Sequence, residues 1–205
     1  KKESPLSSLL DPKTRNYVLL IIAMVALTQF IINIIDFRFN LGFEASIQDQ
    51  QQRTSYLGYI YTLTNGLTFL LQFILLPLIL PRIKNRTLHL FIPLSYLLCG
   101  MIYSFFGAGV AFVYLGSFYI YVKASDYSLF SAGKELLYQP LRPEQKYGAK
   151  YLTDMLAYRL AKALIAIVLI YFQSSLILDY MGLTFILMWL FVVFFIFKKQ
   201  HQITN

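Results

Sequence analysis

Residues 17–35 read YVLLIIAMVALTQFIINII, a run in which no side chain is charged. A helix needs roughly 20 predominantly apolar residues to cross the hydrocarbon core of a bilayer. This stretch is therefore long enough for one membrane-spanning helix. Over all 205 residues, 58% are hydrophobic and only 14% are Asp, Glu, Lys or Arg, against about a quarter charged in a soluble domain. The composition indicates an integral membrane protein.

Five further apolar segments follow the first. They lie at about 56–80, 88–106, 110–137, 151–172 and 176–197. Pro81 and Pro140 mark two segment ends, and Gly107-Ala-Gly109 predicts a tight turn. An open sheet cannot satisfy its backbone in lipid, so we expect all segments to be helices. The predicted fold is an all-α membrane protein with six transmembrane helices: a cytoplasmic linker at 1–15, the bundle at 16–198 and a cytoplasmic tail at 199–205.

The basic residues that flank these segments predict the orientation of the chain. Twelve fall on one side: Lys1, Lys2, Lys13, Arg15, Arg82, Lys84, Arg86, Arg142, Lys146, Lys150, Lys198 and Lys199. The other side has only Arg38 and Arg53. Short cytoplasmic loops carry an excess of Lys and Arg, so we expect both termini in the cytoplasm. The net charge of +8 is thus explained by topology, and no nucleic-acid partner is predicted.

The sequence carries no pattern typical of an enzyme or of a metal site. Cys99 is the only cysteine, and His89 and His201 are far apart, so His and Cys cannot form a metal-ligand cluster. There is no Gly-rich phosphate loop and no histidine beside a plausible nucleophile. We therefore expect no enzymatic activity, metal or cofactor.

Polar residues follow one face of the first segment. Gln29, Asn33, Asp36 and Asn40 recur at spacings of four, three and four, which places them on one side of a helix. Two interpretations stand: a polar seam packed against neighbouring helices, or a cavity lined by Asp36 as a ligand or gating residue. A weaker stripe on the second segment consists of Tyr61, Asn65, Thr68 and Gln72. That stripe favours contacts between helices.

The fourth segment contains Lys123, Asp126 and Lys134. Ionisable groups are costly inside a membrane and usually face a cavity or one another. Lys123 and Asp126 are three residues apart and can form an ion pair within one helix. Lys134 lies near the predicted cytoplasmic end, where it either extends towards the interface or faces a cavity.

The fifth segment adds Asp154, Arg159 and Lys162. The planar guanidinium of Arg159 suits phosphate or carboxylate, and we expect it to face the interior of the bundle. The alternative is that Arg159 pairs with Asp126 or Asp154 and holds the two helices together. Charges on two consecutive segments suggest a single site.

Several short stretches resemble a known family. They are residues 127–130 (YSLF), 134–141 (KELLYQPL), 146–150 (KYGAK), Asp154 and 159–162 (RLAK). Together they resemble the non-mitochondrial ATP/ADP translocases of plastids and intracellular bacteria and their bacterial relatives, which have a major-facilitator-like fold. Residues 4–6 (SPL) and 36–39 (DFRF) look like the start of the second half of such proteins. The resemblance covers essentially the whole chain.

The resemblance implies that the chain is the C-terminal six-helix half of a twelve-helix transporter. An N-terminal half, in the same polypeptide or a partner chain, would complete it in the bacterial inner membrane. The implied function is transport of a nucleotide or another anionic solute by alternating access. The resemblance ties Asp36 and Lys134 to nucleotide transport. With the other charged residues of the fourth and fifth segments, the predicted substrate-binding residues are Asp36, Lys123, Asp126, Lys134, Arg159 and Lys162.

The chain departs from the family pattern at two places. Ala132-Gly133 stands where the family has Pro-Thr, and residues 163–166 (ALIA) replace the small residues that follow the lysine. The alternative function therefore stays open: a non-transporting membrane scaffold or anchor within a larger complex, in which the charges form structural ion pairs.

Overall fold

The fold is known from a computed structural model, which describes residues 11–106 and 111–204. Within these residues the chain forms helices and no strand. The six helices are α1 (Pro12–Ser46), α2 (Gln50–Ile79), α3 (Asn85–Phe106), α4 (111–137), α5 (143–171) and α6 (Ser175–Thr204). The predicted all-helical class is confirmed. Three of the helices, α1, α2 and α6, are long and apolar enough to cross a membrane.

The helices extend beyond several predicted segments. Asp11 caps α1 by accepting a hydrogen bond from the backbone of Lys13, so the helix starts within the predicted linker, and α6 continues to Thr204 in the predicted tail. The connection between the fourth and fifth predicted segments is mostly helical, because Pro143–Tyr151 forms the first part of α5. Proline is favourable in the first turn of a helix, where its missing N–H has no partner to lose. The turn predicted at Gly107-Ala-Gly109 lies outside the described residues.

Three helices contain a π-helical turn. These turns are Leu70–Leu75 in α2, Asp126–Phe130 in α4 and Leu152–Ala157 in α5. Such turns are rare and occur frequently at functional sites. The turn of α2 packs against that of α4. The turns of α4 and α5 contain Asp126 and Asp154, two of the predicted site residues.

Helix α1 forms the centre of the bundle. Its most apolar stretch is 61% buried, against 11% for α2 and 22% for α6, and it packs against α4, α5 and α6. Tyr17, Ile21 and Met24 are fully buried on it. The hydroxyl of Tyr17 donates a hydrogen bond of 2.7 Å to the backbone carbonyl of Leu137. This bond fixes the start of α1 against the end of α4.

Hydrogen bonds and a ring contact between helices show which helix ends lie together. The side chain of Gln145 donates to Asp11 at 2.9 Å, and the ring of His89 bonds to the carbonyl of Gly133 and packs on Phe197. The start of α1, the connections between α2 and α3 and between α4 and α5, and the end of α6 therefore share one end of the bundle. We call it the basic end, because it gathers the described basic residues of those segments.

Two glycines allow α4 to lie close to α1 and α2. A Cβ atom at Gly116 of α4 would lie 3.1 Å from the hydroxyl of Tyr56, and one at Gly42 of α1 would lie 3.1 Å from the side chain of Leu115. Small residues at such crossings let helix backbones come together. The packing of α4 against α1 and α2 thus depends on these two positions.

A leucine at Gly116 should destabilise the protein. Gly116→Leu forces side chains apart in a packed interface, which typically costs about 1–3 kcal/mol. The control is Gly58→Leu, because a Cβ at Gly58 meets nothing within 4 Å. Thermal unfolding in detergent, followed by fluorescence of the single tryptophan, Trp189, should show a lower midpoint for Gly116→Leu only. Equal midpoints would contradict the packing described for α4.

Candidate functional site

An ion pair joins α1 to α4. The Nζ atom of Lys123 lies 2.5 Å from Oδ2 of Asp36, with 15% of the lysine side chain and 29% of the aspartate side chain exposed. The predicted pairing of Lys123 with Asp126 is therefore wrong. Lys123 pairs instead with a carboxylate 87 residues earlier in the chain, because the central helix α1 presents Asp36 to it.

A second ion pair joins α4 to α5. The Nζ atom of Lys134 lies 2.6 Å from Oδ1 of Asp154, and the two side chains are 16% and 30% exposed. Nearer the basic end, Lys150 lies 2.8 Å from Glu135, but both of these side chains are 44% exposed. Lys134 therefore does more than anchor a helix end, since its charge is matched by a carboxylate on the next helix.

Asp126 lies among the charges of both ion pairs. It begins the π-helical turn of α4, and its carboxylate forms no hydrogen bond or ion pair within the described residues. The charges that act on it are the positive charges of Lys123, Lys134 and Lys162 and the like, negative charge of Asp36. The site is thus continuous from α1 through α4 to α5.

Arg159 and Lys162 lie on the exposed side of α5. The buried face of this helix carries Ala161, Ile165 and Leu169, whereas both cationic side chains are exposed. The expectation that Arg159 faces the interior of this six-helix bundle is therefore wrong. Among the described residues Arg159 forms no ion pair, so the predicted bond to Asp126 or Asp154 is wrong too.

Two tyrosines contribute to the site and were not predicted. Tyr119 stacks on Phe39 at 4.4 Å between ring centroids, faces Asp36, and lies 5.6 Å from the Nζ atom of Lys123. Tyr158 lies 4.6 Å from the Nζ atom of Lys162. Each tyrosine precedes its lysine by four residues, and this helical spacing brings a ring beneath a cation. The spacing is the signal in the sequence that could have identified both.

The predicted polar stripes differ in their surroundings. On α1, Gln29 is buried, and the side chain of Asn33 donates to the backbone carbonyl of Gln29 at 2.8 Å. On α2, the side chains of Tyr61, Asn65 and Gln72 are exposed, whereas Thr68 is partly buried and donates to the backbone carbonyl of Thr64 in its own helix. The contacts between helices expected from the second stripe stay a prediction.

The arrangement suits recognition of an anion. Lys123 and Lys134 are each neutralised by one carboxylate, and a phosphate or carboxylate of a solute could replace that partner through the same charge-assisted hydrogen bonds. Lys162 and Arg159 add positive charge on the adjacent exposed surface. Among the described residues, no group of three or more His, Cys, Asp or Glu side chains could hold a metal ion.

Comparison with known proteins does not assign the chain to a family or a fold. No family model, no curated protein and no solved structure matches the chain. The similarity to the ATP/ADP translocases therefore stays a hypothesis based on the short stretches quoted above.

A double-mutant cycle on Asp36 and Lys123 should reveal strong coupling. Removing either partner alone leaves a partly buried charge unpaired, so Asp36→Asn and Lys123→Met should each destabilise the protein, whereas the double variant should lose little more than one of them. We expect a coupling free energy of about 1–3 kcal/mol. Unfolding midpoints of the four proteins in detergent give this value.

The matched control is the pair of Glu135 and Lys150, varied as Glu135→Gln and Lys150→Met. Its side chains are much more exposed, so its coupling should stay below about 1 kcal/mol. Equal coupling in the two cycles would contradict a special role for the contact between α1 and α4.

Proposed function

We propose that the chain is one six-helix half of a secondary transporter that moves an anionic solute, such as a nucleotide, by alternating access. The observation that carries this proposal is the group of ionisable side chains that α1, α4 and α5 bring together, around Asp126. Ionisable residues in the interior of a membrane domain are rare, and they typically mark the path of a substrate or ion. Sites in such transporters lie near the middle of the membrane, where helices are interrupted.

The exposed polar groups support a partner for this half. Lipid cannot satisfy the side chains of Asn65 and Gln72 on α2 or the charge of Arg159 on α5. A second half placed against α2 and α5 would cover them and would turn the charged surface into the wall of a cleft. In that assembly Arg159 and Lys162 would meet the solute, while Lys123 and Lys134 would exchange their carboxylate partners for it.

The same proposal includes the orientation of the helices and the identity of the membrane that they cross. The basic end would lie in the cytoplasm, with both termini, and the membrane would be the bacterial inner membrane. In a Cys99→Ala background, Lys84→Cys should react with an impermeant maleimide only after permeabilisation, whereas Gln51→Cys should react in intact cells, because the two residues lie near opposite ends of α2. Labelling of both from the same side would exclude this topology.

Transport itself is tested by uptake into vesicles. The full-length protein, reconstituted with labelled nucleotides outside, should accumulate them, and Arg159→Gln or Lys162→Gln should reduce uptake by at least about tenfold. Loss of a hydrogen bond to a charged group typically costs 1.5–3 kcal/mol, which corresponds to that factor. Lys199→Gln at the basic end is the control, and it should transport normally. Because Arg159 is exposed and forms no ion pair with any described residue, its variant should keep the wild-type unfolding midpoint.

A membrane scaffold is the second candidate function. It is favoured by the fact that Asp36 and Asp154 are already satisfied by lysines of α4, as structural ion pairs would be. A scaffold predicts no uptake of any nucleotide, and it predicts that Lys134→Met lowers the unfolding midpoint. Uptake by the wild-type protein that depends on Arg159 would exclude this alternative.

A further inference from the structure

A cavity of about 750 Å³ lies among α1, α3, α4 and α6, away from the charged site. Its walls are mainly apolar and include Ile35, Leu97, Phe118 and Ile186. Ligand sites of 300–1,000 Å³ are typically lined in this way, with a few polar groups that fix orientation. The volume is sufficient for a long apolar chain.

Towards the basic end, α3 and α6 contact each other through aromatic rings. There His89 packs on Phe197, and further along the ring of Tyr96 lies 5.8 Å from that of Trp189. Beyond this point the two helices present glycines to the gap: Gly100 and Gly182 both line the cavity. A Cβ atom at Gly100 would meet nothing within 4 Å.

One ion pair supplies the polar end of the cavity. Nε of Arg38 lies 3.1 Å from Oδ1 of Asp179, and Nη2 donates to Oδ2 at 3.4 Å. Both residues line the cavity, and 40% of the Asp179 side chain is exposed, against 16% for Arg38. The cavity is therefore amphipathic, with an apolar interior and a guanidinium beside a carboxylate at the end opposite the basic end.

We propose that this cavity binds a phospholipid whose headgroup carries both a phosphate and a primary ammonium group, as phosphatidylethanolamine does. An acyl chain occupies the apolar interior. The phosphate lies against the guanidinium of Arg38, and the ammonium group donates to the exposed carboxylate of Asp179. Opposite charges side by side in the protein match opposite charges in the headgroup, and such charge-assisted bonds are strong.

The surroundings of the cavity favour a lipid over a water-soluble ligand. Met101 and Tyr180 line it from α3 and α6 and are 44% and 63% exposed. In a membrane these side chains would face acyl chains, so a lipid could enter sideways between the two helices without leaving the bilayer. The inference does not depend on transport, because none of the predicted substrate-binding residues lines the cavity.

The proposal is tested by identifying the lipids that stay bound to the protein after it is extracted from vesicles. The full-length protein is reconstituted into vesicles of phosphatidylethanolamine, phosphatidylglycerol and phosphatidylcholine in equal amounts, extracted in mild detergent, and analysed by native mass spectrometry. We expect phosphatidylethanolamine to be enriched about tenfold over the other two. Gly100→Phe fills the cavity and should abolish the enrichment. Leu98→Phe adds an aromatic ring on the same helix at a position that is 56% exposed and outside the cavity, and it should retain the lipid.

Two further variants keep the test decisive if Gly100→Phe fails to fold. Gly182→Leu fills the cavity from α6, where a Cβ would make only an ordinary contact of 3.9 Å with Ile34, and it should also abolish enrichment. Asp179→Asn removes the partner of the ammonium group and should lower the preference for phosphatidylethanolamine over phosphatidylcholine about tenfold. Unchanged enrichment in a folded Gly182→Leu variant, or equal retention of all three lipids by the wild-type protein, would overturn the proposal.

Discussion

A charged side chain in an apolar helix bundle is costly unless a partner of opposite sign lies nearby, and two such pairs organise α1, α4 and α5. Taking a charge out of water is expensive, and a nearby counter-charge recovers the cost only when the geometry is good. Asp36 on the central helix meets this requirement through Lys123, and Asp154 meets it through Lys134. Both lysines belong to α4, so this helix holds its two neighbours at fixed depth and rotation.

The π-helical turns explain how α4 and α5 can serve both packing and chemistry. An extra residue in one turn rotates everything that follows it and leaves backbone groups without their usual partners. Asp126 begins one such turn and Asp154 lies in another. The interruptions therefore coincide with two carboxylates of the candidate site, and the apolar faces on either side still meet their neighbours.

The two ends of the bundle have different chemistry. The charged site extends from the middle of α4 towards the basic end, whereas the opposite end holds an apolar cavity closed by the ion pair of Arg38 and Asp179. The anionic solute proposed for the first and the lipid proposed for the second would therefore occupy separate places in the bundle. In these proposals, lipid would stabilise α3 and α6 while the face formed by α2 and α5 would stay available to the proposed second half.

The helices and their order could be predicted from the sequence, because apolar length and proline positions are local properties that a helix expresses wherever it packs. The charged residues proposed for the site are also visible in the sequence, and their role stays a prediction. Their partners depend on the tertiary structure: Lys123 bonds to a residue 87 positions away, and the exposure of Arg159 depends on how α5 is rotated against α1. Such rotation is set by side-chain packing between distant segments and by the π-helical turns, and neither is visible in a local pattern.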